Sequence, residues 1–178
     1  MKKVLAVLIV TFMVSQAWGL GIKVGIGGDV CLPQGTWKDS TNTGFGGALY
    51  AVLDVQVIKL TADVGYISFG TKTFEDATTG IKTDVKMSAV PVLVGVRYEF
   101  GAPVGPKFYA GVKLGYHFFA STVEISGFPA VTDNEDKFTI APYVGVSLLA
   151  FEITGHYMII EDANYIGLRL AYTIGIGI

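Results

Sequence analysis

His117 and Ser121 stand four residues apart on one side of an alternating segment, with Glu124 just beyond. A base, a hydroxyl and a carboxylate are the parts of an acyl-transferring triad. In an extended strand that separation is about 13 Å, too long for the imidazole to take the hydroxyl proton. His156, the only other histidine, has no serine positioned by a motif, and two isolated histidines with the single Cys31 make no metal-ligand spacing. The residues therefore predict no enzyme, no catalytic residue, no metal site and no cofactor. What remains is ionic: Lys23, Asp29, Lys59, Asp63, Arg97, Glu99, Lys113, Glu152 and Arg169 all sit in strongly apolar surroundings. Mixed charges sharing one face could line a polar conduit or neutralise one another as a plug.

Period-two alternation supplies the elements that hold these charges. In LGIKVGIGGDVCL, Leu20, Ile22, Val24, Ile26, Val30 and Leu32 share one face, and Lys23, Asp29, Cys31 and several glycines share the other. The same test predicts strands over about 44–54, 57–69, 85–100, 107–121, 137–149, 151–160 and 164–178, which makes eight. Long connections at 33–42, 70–83 and 122–136 alternate with short turns near 55–56, 101–105 and 150, as antiparallel neighbours require. The connection at 161–163 should be long by this rule and is short.

Composition narrows the class. Charged residues are only 16% of the 178, and the mean hydropathy is positive. Lys2 and Lys3, the apolar run Val4 to Val14, and small residues at Ala17 and Gly19 have the pattern of a secretory signal peptide over 1–19, leaving 20–178 as one domain. Beyond residue 19 no stretch offers the 18 or more uninterrupted apolar residues of a membrane-spanning helix. Without Lys2 and Lys3 the chain has 11 basic and 15 acidic residues and no basic patch, which excludes a nucleic-acid partner.

The apolar faces carry Leu, Ile, Val, Phe and Tyr and no charge, whereas the opposite faces collect glycines such as Gly25, Gly95, Gly111, Gly145 and Gly167 together with every strand charge. Bulk outside and small or polar residues inside suit a closed eight-stranded antiparallel up-and-down transmembrane β-barrel, because so narrow a ring is only just wide enough for side chains. A basic residue on lipid would cost about 2–4 kcal/mol at the midplane. Phe45, Phe69, Phe118 and Phe138 predict an aromatic belt at the loop end, and Tyr98, Phe100, Phe108, Phe151 and Tyr172 one at the turn end. Counted from the turns, Asp63, Lys113 and His156 lie at similar depth with Arg97 slightly nearer the turns, which predicts a mid-lumen cluster of these four. Pro91 cannot donate to a ladder, so a bulge or locally broken pairing is expected there.

The block VPVLVGVRYEFG followed by KFYAGVKLGYHF resembles the bacterial outer-membrane β-barrel domain family of small eight-stranded proteins. The resemblance implies residence in the outer membrane, contact with its lipid and lipopolysaccharide, short turns in the periplasm and long loops outside. The expected function is a structural or surface-interaction role for a monomer, with the lumen plugged by ion pairs and an unidentified extracellular partner at the long loops. A narrow porin-like channel for small solutes is the alternative. A lipid A-modifying enzyme, a class some small barrels resemble, ranks third.

Overall fold

Eight alternating segments close into one ring. The computed structural model describes residues 21–55, 58–75, 82–101, 105–125 and 129–176, so the leader expected at 1–19 lies outside the described residues. The strands are β1 (Ile22–Pro33), β2 (Gly44–Val55), β3 (Ile58–Glu75), β4 (Lys82–Gly101), β5 (Lys107–Ile125), β6 (Val131–Leu148), β7 (Phe151–Ile160) and β8 (Tyr165–Ile176). Each is antiparallel to its neighbours, and β8 closes on β1 from Ile22↔Ile176 to Pro33↔Tyr165. Closure leaves no unpaired edge through the barrel body, the condition for a sheet to sit in lipid.

Much of 70–83 and 122–136, expected as loop, is strand. β3 and β4 stay paired to Glu75↔Lys82, and β5 and β6 to Val123↔Val131. Above the lipid both faces of a strand are solvated, so TKTFE and VTDNEDK lack the alternation by which the lower strands are read. The four strands β3–β6 therefore form a tall wall. The short β7–β8 connection, Glu161–Asn164, leaves the opposite side low. A short 3₁₀ turn, Gly35–Asp39, follows β1 and carries Trp37 over the lumen.

At Pro91 the β4–β5 ladder runs on unbroken, with Pro91 opposite His117. On the β3 side pairing lapses between Val64↔Val92 and Ile67↔Ala89, with the register unchanged, so the break is a local gap and no bulge. A side chain at Gly65 would come within 3.2 Å of the Pro91 ring, so glycine makes room for it. The register does shift further up, between Phe69 and Lys72. Pro142 makes a second gap, between Ile140↔Ile159 and Tyr143↔His156 on the β6–β7 seam.

Candidate functional site

The lumen is filled in layers. Nearest the short turns, Lys59 lies 2.5 Å from Asp54 and 3.0 Å from Glu99. Arg97 Nη2 sits 2.5 Å from Glu99 Oε1, off the line of a hydrogen bond, and both Nη atoms donate to Glu152 at 3.1 and 3.2 Å. Tyr50 and Tyr109 donate to the same carboxylate at 3.2 and 3.3 Å, and the Arg97 guanidinium lies 4.5 Å from the Tyr109 ring centre. A second layer runs Lys113–Asp63–Arg169–Asp29, with contacts of 2.9, 2.5 and 2.9 Å. Between the two layers the void is about 10 Å³, room for one water at most.

Above the ions comes a layer of imidazole and hydroxyl groups. His117 bridges Thr139 Oγ1 at 2.7 Å and Tyr165 Oη at 2.8 Å, and the His156 ring packs edge-on against Tyr165. Higher still the lumen is an apolar core of Cys31, Ile67, Phe69, Leu93, Phe119, Met158 and Ile160, roofed by Trp37, whose indole meets Phe69 at 4.8 Å and Phe119 at 6.0 Å. Phe69, expected in the loop-end belt, is instead 3% exposed inside the barrel. It belongs to the lumen parity of β3, with Asp63 and Ile67.

The lumen glycines are roofed by large side chains from the next strand. A methyl group at Gly25 would overlap the Tyr50 ring, one at Gly145 the Tyr109 ring, and one at Gly167 the His156 ring. Glycine costs strand stability. Here it supplies the floor on which each ring lies.

The outer surface reverses this pattern. Val94, Leu49, Val144 and Leu170 are exposed mid-strand, while Phe45, Phe118 and Phe138 ring the loop end and Tyr98, Phe100, Phe108, Phe151 and Tyr172 the turn end. Tyr66, Tyr116 and Tyr157 add to the exposed aromatics. From Phe108 to Phe118 is about 33 Å along β5, which at the usual barrel tilt is about 25 Å along the axis, the height of a membrane band. Outward charge begins only above it, with Asp136 and a Lys86–Glu124 pair at 2.8 Å.

No family model and no curated protein matches the sequence. Among solved structures the chain is similar to a major outer membrane protein from Thermus thermophilus (TM-score 0.54, 12% identity, 86% of this chain and 99% of that one). It is also similar to Ail, the attachment invasion locus protein of Yersinia pestis (0.52, 14%, 88% and 99%), and to Neisserial surface protein A (0.51, 14%, 90% and 97%). The fold is that of the small outer-membrane β-barrels.

In this barrel all ten predicted lumen residues point inward. Of the four expected to cluster, Asp63 and Lys113 meet, but Arg97 belongs to the lower layer and His156 lies beside Tyr165. Strand tilt is the reason, since counting from the turns ignores the stagger around a barrel. Arg169 and Asp29 complete the cluster instead. Asp54, absent from the sequence reading, gives the lumen five acids for its five bases. Tyr50, Tyr109, Tyr143 and Tyr165 are further lumen residues that the sequence reading lacks, although each shares a face with lumen glycines or charges in the chain.

Proposed function

We propose that the protein is a closed outer-membrane scaffold with a surface-interaction role, monomeric, its lumen plugged by side chains. The observation that carries this reading is the filled cross-section: two ion-paired layers with about 10 Å³ between them, below an apolar core sealed by Trp37. With the short turns facing the periplasm, β3–β6 stand outside the membrane. β7 pairs with β6 no higher than Thr139↔Ile160, so the main chain of β6 from Val131 to Asp136 is an open edge next to the low side of the rim. Such an edge, on a wall held rigid by the barrel, is suited to a protein partner.

A catalytic role is not proposed. Both His117 ring nitrogens are within hydrogen-bond distance of Thr139 and Tyr165, and so have no lone pair or proton directed at Ser121. Lipid A of unchanged mass after expression in a Gram-negative host is the expected result.

Planar-bilayer recording of the purified, refolded protein tests the plug. Silence is expected. Reproducible single-channel steps would replace this reading with the narrow conduit.

A further inference from the structure

A cavity of about 220 Å³ opens at the outer mouth, between the inner face of the tall wall and the short β7–β8 turn. Trp37 and Phe119 border its floor, and Asp133, Glu135 and Asp162 stand on its walls. One cation is already there: Lys137 lines the cavity, with its ammonium 3.3 Å from Glu135 and donating to the Glu161 carbonyl at 3.2 Å. That ammonium balances Glu135 alone. Neither Asp133 nor Asp162 has a basic partner among the described residues, so the cavity is left with two uncompensated carboxylates over an aromatic base.

We propose that this cup binds an organic cation, an ammonium or guanidinium head on a short apolar stem. The head lies between Asp133 and Asp162, and the stem lies on Phe119 and the edge of Trp37. The volume of about 220 Å³ accommodates such a group. An inorganic cation would leave the aromatic base unused, and a neutral apolar molecule would leave the carboxylates unanswered. The proposal rests on reading the outer mouth as an interaction surface, and it names the chemistry that surface selects.

The test is titration of the full chain, refolded in lipid nanodiscs and ¹⁵N-labelled at tryptophan, with benzylammonium. Benzyl alcohol and Mg²⁺ are run beside it, reading the Trp37 indole resonance as assigned by Trp37→Phe. A saturable shift is expected with benzylammonium, at least tenfold weaker binding with benzyl alcohol, and at least fivefold weaker benzylammonium binding in Asp133→Asn/Asp162→Asn. Asparagine keeps the positive φ of 60° at position 162, so the variant should unfold at the wild-type midpoint. Equal binding of the alcohol, displacement by equimolar Mg²⁺, an unaffected double variant, or no saturable shift would each overturn the cation site. A silent bilayer with no cation binding removes the ligand and leaves the closed scaffold in place.

Discussion

Glu152 on β7 receives both Nη atoms of Arg97 on β4, at 3.1 and 3.2 Å, across the lumen between strands that are not neighbours. Each is about 3% exposed, so neither charge has water to fall back on. This pair ties the β4 and β7 walls together across the lumen.

Removing one member strands the other. Glu152→Ala leaves Arg97 with Glu99 alone, deprives Tyr50 of its acceptor and leaves Tyr109 with Thr154. A loss of about 3–5 kcal/mol is expected in urea unfolding of the refolded protein. A loss under about 1 kcal/mol would show that the network is loosely held.

The His156 ring lies where a Cβ on Gly167 would stand. Gly167→Ala should cost at least about 1–3 kcal/mol by overpacking. The double change Gly167→Ala/His156→Ala should be less damaging than the two single losses added together, by about 1 kcal/mol or more. Additive losses would mean the two residues do not meet.

Strand order, parity and the direction of the lumen charges other than Asp54 are legible in the chain because a two-residue period with one uncharged face leaves a single sensible orientation. Val94 and Arg97 differ in parity, so a one-residue slip would turn Arg97 to lipid and Val94 to the lumen. Depth is not legible: the stagger that joins Asp63 to Arg169, 106 positions away, is a property of the closed ring and of no single strand. Trp37 is hidden for a related reason, since it sits in a connection and becomes a roof only once β1 and β2 have brought it over Phe69. Phe69 falls in the wrong place when aromatic type is allowed to outweigh parity. The wall above the membrane reads as loop because nothing there forces residues such as Thr132 and Asn134 to alternate with apolar ones.

The lipid band makes a positional prediction. Val94 is 61% exposed on the outer face in the middle of β4, and Val94→Arg should destabilise the barrel by about 2–4 kcal/mol in bilayers. Thr132→Arg, on the solvated wall above the outermost belt, should stay within about 0.5 kcal/mol of wild type. Equal effects at the two sites would contradict the placement of the membrane boundary near Phe118 and Phe138.

On the proposed plugged reading the roof and the ionic layers are separate seals, and Trp37→Ala distinguishes their roles. The indole is 7% exposed and packs on Phe69, Phe119 and Tyr165, so truncation removes a large buried ring and leaves a cavity beneath the outer mouth. A stability loss of about 3–5 kcal/mol follows from that cavity. Conductance should not change if the proposed plug holds, because the layers built on Asp63, Arg169, Arg97 and Glu152 lie below the roof. The variant is therefore expected to unfold earlier yet remain silent in a planar bilayer. Channel steps appearing in Trp37→Ala, with wild type silent, would move the seal from the ion pairs to the indole.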